Sequence, residues 1–186
     1  IKFLEVDVPE LEKKLLAIGA KKVGDYDYSR VIMDYSDLSL HKEHSWIRLR
    51  TNGKETTLTY KQAVMGRSGD RFMGHVGMKE IEVGVEDYVK TFELLKAIGF
   101  IVRIEEKNKR IRYEKGDVTF DIDSWPSIPT YLEIESTSYE KAKDVALTLG
   151  FDPGKGIIGT AGTIYKHYGI NIDDYSSITF KGLIKK

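Results

Sequence analysis

Five times in this chain two like-charged side chains flank a branched aliphatic residue: Arg48-Leu49-Arg50, Glu80-Ile81-Glu82, Arg110-Ile111-Arg112, Asp121-Ile122-Asp123 and Glu133-Ile134-Glu135. On a β-strand residues i and i+2 share a face, so each dyad aims both charges one way and its aliphatic residue the other. Like charges side by side repel by roughly 1 kcal/mol at ~4 Å in water, and by more where water is excluded. A polyanion would offset that repulsion at the basic dyads, and divalent cations would do so at the acidic ones. Guanidinium forks grip phosphate oxygens in pairs, and ammonium groups act as point charges. Hard cations such as Mg²⁺ or Mn²⁺ take oxygen ligands and share them between carboxylates and phosphates. The chemistry this pattern suits is that of a site for a metal-bound polyphosphate. The plainer alternative is a solvated sheet laced by cross-strand salt bridges, each worth ~0–1 kcal/mol.

Strand parity widens the constellation. Arg48 and Arg50 share a face with Trp46, Lys61 with Thr57 and Thr59, and Arg110 and Arg112 with Asn108, while Lys2 begins the alternation of the first strand. The carboxylates Glu80, Glu82, Asp121, Asp123, Glu133 and Glu135 are the candidate metal ligands. His41, His44, His75 and His167 show no ligand spacing on one element, and there is no serine, histidine and acid arrangement suited to nucleophilic catalysis. The glycine-rich stretch 152–162 lacks the Gly-Lys-Ser/Thr ending of a phosphate loop and reads as a connector. The stretch 64–77, with four glycines and two arginines, reads either as a hairpin tip or as an arginine-bearing flap that closes over an anion.

The elements that must position these charges follow from hydrophobic periodicity. Amphipathic helices are predicted over about 9–19, 86–98 and 138–149, each stopping at a glycine, Gly19, Gly99 and Gly150. Alternating runs predict strands at 1–6, 28–34, 45–51, 56–62, 78–85, 100–106, 108–114, 117–123 and 131–136. Asn52-Gly53 and Lys115-Gly116-Asp117 mark hairpin turns. A short helix within 163–175 and a loosely held tail over 176–186 complete the chain. The fold class is therefore α+β, dominated by antiparallel strands. Closing such a sheet gives a barrel whose charged interior is an aqueous tunnel, with the helices flanking it.

The chain has 186 residues, which suits a single domain over 1–186, with a core of about 1–150 and a C-terminal helix and tail over about 151–186. The 29 basic and 29 acidic residues cancel, so no global field points to nucleic acid or to an anionic membrane. The absence of cysteine excludes disulfides, thiolate ligands and cysteine nucleophiles. No apolar run approaches the ~20 residues of a membrane span, and no secretory signal is visible. The expectation is a soluble cytoplasmic protein, monomeric or homodimeric.

The segments WIRLR at 46–50, LTYK at 58–61, KEIEV at 79–83, KNKRIRY at 107–113, FDID at 120–123 and IPTYLEIE at 128–135 resemble, in order, those of the CYTH domain family. That family includes class IV adenylyl cyclases and thiamine or inorganic triphosphatases, folded as a triphosphate tunnel. Its signature is Glu-x-Glu-x-Lys on the first strand; Lys2 stands where its lysine falls, and the two glutamates would precede Ile1. The resemblance implies that Lys2, Arg48, Arg50, Lys61, Arg110 and Arg112 hold the triphosphate, with Lys2, Lys61 and Arg110 acting on the reacting group. It implies that the pairs Glu80 and Glu82, Asp121 and Asp123, and Glu133 and Glu135 bind Mg²⁺ or Mn²⁺ and orient the nucleophile. The substrate would be ATP, giving cyclic AMP and pyrophosphate, or else thiamine triphosphate or tripolyphosphate undergoing hydrolysis. Triphosphatase members often carry a lysine two residues before the arginine of this strand; that position is Asn108 if Arg110 is aligned and Arg110 if Arg112 is, which weakens lysine-assisted hydrolysis here. A non-catalytic polyphosphate or nucleotide binder is the alternative outside enzymology.

Overall fold

The computed structural model describes residues 1–65 and 75–186, so the two arginines of the glycine-rich stretch at 64–77 lie outside the described residues. In chain order the elements are β1 (Lys2–Phe3), α1 (Val8–Ala17), β2 (Lys21–Tyr35), α2 (Ser39–Lys42), β3 (Ser45–Thr51), β4 (Thr56–Met65), β5 (His75–Val85), α3 (Tyr88–Ala97), β6 (Phe100–Lys115), β7 (Val118–Ser124), β8 (Tyr131–Glu135), α4 (Tyr139–Thr148), α5 (Ala161–His167), β9 (Tyr175–Thr179) and β10 (Gly182–Lys185). The strands form one sheet in the order β1-β8-β7-β6-β2-β3-β4-β5, with β9 joined to β6 and β10 to β9. The pairings β1–β8, β8–β7, β7–β6, β2–β3, β3–β4, β4–β5 and β9–β10 are antiparallel, and the short one between β6 and β9 is parallel. The α+β antiparallel architecture is as expected. Among the described residues the sheet is not a closed ring: the outer edge of β1 bonds instead to the connector, through reciprocal backbone hydrogen bonds of 2.8 Å between Lys2 and Ile157.

The chain divides into two compact units, the first comprising Ile1–Asp27 with Asn108–Ile170 and the second Tyr28–Lys107 with Asn171–Lys186. β2 and β6 each contribute residues to both. In the first unit, Phe120, Ile122, Leu132 and Ile134 from β7 and β8 pack under Leu11 and Leu15 of α1 and Ala142 and Ala146 of α4. In the second, Val31, Met33 and Leu49 pack with Leu95 of α3, flanked by Phe92 and Phe100. Leu49, Ile122 and Ile134 are the aliphatic members of three dyads, and each is almost wholly buried. Burying such side chains contributes roughly 1.5–3 kcal/mol each, and that burial fixes the opposite, charged face by strand parity. Ile81 departs from this rule: it lies on the end strand β5 and is 57% exposed.

The three predicted long helices are present, and Gly19, Gly99 and Gly150 take positive φ where each ends. Their N-termini are capped by Asp7, Asp87 and Ser138, whose side chains accept from backbone N–H groups three residues on. Several boundaries differ from expectation for local reasons. The strand predicted over 1–6 stops at Phe3, because Glu5 takes a left-handed φ of 55° and Asp7 already caps α1. The runs at 100–106 and 108–114 form the single strand β6, since no turn-forming residue separates them. The tail is not loosely held: β9 and β10 form a hairpin, and Ile178 is fully buried beside Glu106 of β6. Among the described residues no helix is long and apolar enough to cross a membrane.

Candidate functional site

In the first unit the register aligns charges across four strands. Arg112 on β6 lies opposite Asp121 on β7, which lies opposite Glu133 on β8, which lies opposite Lys2 on β1. Arg110 forms the adjoining rung with Asp123. These are directed contacts. Arg110 donates from Nε and Nη2 to the two oxygens of Asp123 at 2.7 and 2.6 Å, and Arg112 donates to both oxygens of Asp121 at 2.7 Å. Arg110 also approaches Asp121 and Glu133, and Lys2 donates to Glu133 and to the carbonyl of Gly159. Asp121 and Asp123 are buried, so β7 has one face filled by apolar side chains and the other by ion pairs.

This packing sets the protonation of the cluster. Burial alone would lower the Arg110 pKa, but Asp123, Asp121 and Glu133 prevail and hold it well above the ordinary arginine value. Burial likewise pushes Glu133 up, yet Lys2 and Arg110 win and keep it below the usual carboxylate range. Glu135, on the same face of β8, goes the other way: partial desolvation, with repulsion from Glu133 and Asp121, raises it. Its side chain nonetheless reaches water. Asn108 is buried and donates to Asp123 at 3.3 Å, so this position orders a carboxylate and supplies no ammonium group.

The second unit carries its own constellation. Arg48 pairs across β3 and β4 with Thr59, which pairs with Glu82 on β5; Lys61 lies opposite Glu80. Nη2 of Arg48 donates to Thr59 at 3.2 Å and to Glu82 at 3.1 Å, and the Thr59 hydroxyl donates to the same Glu82 oxygen at 2.7 Å. Lys61 lies 2.8 Å from Glu80, and Arg50 lies 3.7 Å from Glu82. Arg50 also stacks on the ring of Tyr28, 4.5 Å from its centroid. Partial burial raises Glu82, but the Thr59 hydrogen bond and the Arg50 and Arg48 charges hold it below the carboxylate range. Burial and the neighbouring Arg50 lower the pKa of Arg48.

The structure thus brings Lys2, Arg110, Arg112, Asp121, Asp123, Glu133 and Glu135 together in one unit, and Arg48, Arg50, Lys61, Glu80 and Glu82 in the other. Three buried charges outside the expected set escaped the dyad pattern: Arg30, Glu106 and Asp34, whose carboxylate accepts from the backbone N–H groups of Tyr35, Leu40 and His41. Arg30 sits opposite Arg50, on a β2 face shared with Tyr28 and Ile32, where nothing in the sequence repeats its sign. Glu106 lies on the face of β6 that carries Asn108, Arg110 and Arg112, and following parity along one unbroken strand would have found it. Burial raises the Glu106 carboxyl against the pull of Arg30, Arg48 and Arg103.

Among the described residues no three carboxylates or histidines converge as a metal cage. The oxygen-only donor set does fit the mode in which Mg²⁺ takes one or two carboxylates and completes its shell with water and substrate phosphates. Glu80, Glu82 and Glu135 are the carboxylates with solvent access suited to it, and Glu133 beside Glu135 is 14% exposed and held by Lys2 and Arg110. Asp121 and Asp123, expected as ligands, have both oxygens engaged by guanidinium groups.

Comparison with known proteins agrees with this arrangement of strands. No curated protein matches. Among solved structures, PH1012 from Pyrococcus horikoshii superposes with a TM-score of 0.66 at 24% identity, over 84% of this chain and 92% of that one. A candidate adenylate cyclase from Vibrio parahaemolyticus gives a TM-score of 0.72 at 12% identity, covering 89% and 95%. HpAC1 from Hippeastrum, a candidate adenylyl cyclase described as having a dominant triphosphatase activity, gives 0.62 at 14%, covering 91% and 95%. The CYTH domain model matches residues 1–155, the stretch that holds every one of the paired charges described above, and the chain belongs to the CYTH domain family.

Proposed function

We propose that the protein is a divalent-metal-dependent enzyme acting on a triphosphate, of the class IV adenylyl cyclase kind, converting ATP to cyclic AMP and pyrophosphate. The observation that carries this reading is that each unit holds a set of basic side chains on one sheet face in cross-strand rows, with carboxylates fixing their direction. Lys2, Arg48, Arg50, Lys61, Arg110 and Arg112 bind phosphoryl oxygens. The fork of Arg110 is held by Asp123, so little reorganisation is needed when negative charge develops on the phosphoryl oxygens. Its raised pKa makes it a fixed cation rather than a proton donor. Lys2 in the first unit and Lys61 in the second each stand on a carboxylate, as cations suited to a leaving pyrophosphate. Glu80 with Glu82, and Glu133 with Glu135, would hold Mg²⁺ or Mn²⁺, which when bound would supply Lewis-acid polarisation of the phosphoryl oxygens.

Glu135 supports a second reading. In this reading Glu135 is a base and not a metal ligand: a carboxyl raised in pKa and open to water is suited to take a proton from an attacking water, which favours hydrolysis of tripolyphosphate or thiamine triphosphate. Incubation with Mg²⁺ or Mn²⁺ and each substrate, with chromatographic resolution of products, separates the two. Cyclic AMP with equimolar pyrophosphate is expected; orthophosphate in its place selects the hydrolase. Metal-dependent binding with no product contradicts both and leaves a polyphosphate binder.

A further inference from the structure

Next to the row containing Arg48, the second unit carries a row with two arginines and a threonine and no carboxylate across β2 to β5. Arg30 on β2 pairs with Arg50 on β3, Arg50 pairs with Thr57 on β4, and Thr57 pairs with Gly84 on β5. Partners directly opposite in an antiparallel sheet project to the same face, so these positions form one line across four strands. The hydroxyl of Thr57 is buried and has no hydrogen-bond partner, as is the Nε of the nine-tenths buried Arg48 one rung away. Beyond Thr57 the row ends in room: a side chain at Gly84 would meet nothing within 4 Å. The acidic groups near this row are Glu82, which Arg50 approaches at 3.7 Å, and Glu106, within electrostatic reach of Arg30.

Buried hydroxyls are almost always satisfied, and an orphan one costs stability in the free protein. An oxyanion in the space at Gly84 would meet that hydroxyl, with the Arg50 guanidinium on the next strand and Arg30 at the far end of the row to meet the following phosphoryl group. We propose that Thr57, with Arg30 and Arg50, forms a further phosphoryl-binding subsite that extends the cradle of Arg48 and Lys61 by one rung. The proposal rests on the triphosphate reading above and names two residues, Arg30 and Thr57, that the dyad pattern does not supply. Admission of the anion requires Arg50 to turn from Glu82 toward Thr57. The Thr57 hydroxyl then donates to the phosphoryl oxygen, and Arg30 supplies the second cation.

The decisive variant is Thr57→Val, which keeps the shape and removes the hydroxyl. With tripolyphosphate and pyrophosphate as probes in calorimetric titrations with Mg²⁺, tripolyphosphate affinity is expected to fall about tenfold. Pyrophosphate affinity should change less, because the shorter chain need not reach the added rung. Thermal stability should hold or rise, since the substitution removes an unsatisfied buried group. Arg30→Gln should also narrow the preference for the longer chain, whereas Lys79→Gln, an exposed cation on β5, should leave it intact. Thr57→Val that binds both probes as the wild type does, or that lowers stability without altering chain-length preference, overturns the subsite. A wild-type protein that binds neither probe overturns the triphosphate reading, and the subsite with it.

Discussion

Arg110 and Asp123 show how much a single pair contributes here. The guanidinium is mostly buried and the carboxylate almost fully so, and their two-point contact is backed by Asp121 and Glu133. Removing one partner of such a pair leaves a buried charge without its counter-charge, at a cost of about 3 kcal/mol or more. Asp123→Ala is therefore expected to destabilise the protein by that order in chemical denaturation, and to lower turnover because Arg110 loses its orientation. Glu106 should behave in the opposite sense. Its pKa is raised on folding, so the folded state binds more protons than the unfolded state once pH exceeds the ordinary carboxylate value. Stability is then lost as pH rises through the interval between the unfolded and folded values. Glu106→Gln should be more stable than the wild type at neutral pH, and that advantage should shrink toward pH 4, as denaturation at both pH values would register. The dyads were legible because each repeats its sign at i+2. Arg30 was not, because parity sorts faces without saying which neighbouring strand supplies the next charge.

At the level of elements, the sequence located the three long helices through their amphipathic spacing and closing glycines. It also located β3, whose predicted range of 45–51 is the one observed. What it missed were features settled by partners distant in sequence. β2 extends back to Lys21 as a long strand, while β1 shrinks to two residues between Ile157 and β8. The C-terminal hairpin was illegible for the same reason. Tyr175–Thr179 is a short run, and its place is fixed by the parallel pairing with Glu105 and Glu106 and by burial of Ile178. Truncating that side chain in Ile178→Ala should cost roughly 2–5 kcal/mol, the usual range for emptying a packed aliphatic site. Urea denaturation would register it; an unchanged midpoint would mean that the hairpin adds nothing to the second unit.

Over the whole molecule, charge is balanced in sum and sorted in space. Neither unit relies on a global field; each places cations and carboxylates on one strand face and its apolar residues on the other. The family membership accounts for the antiparallel α+β plan, and the paired carboxylates account for why so many cations can share a face without mutual repulsion dominating. Composition alone, with 29 charges of each sign, would have hidden this. The most direct test of the account is a phosphorus-31 NMR time course of the protein with ATP, and separately with tripolyphosphate, in the presence of Mg²⁺ or Mn²⁺. Progressive loss of the triphosphate resonances, with growth of pyrophosphate or orthophosphate signals that stops on addition of a chelator, is the predicted result. Spectra that stay unchanged with both substrates and both metals would contradict it.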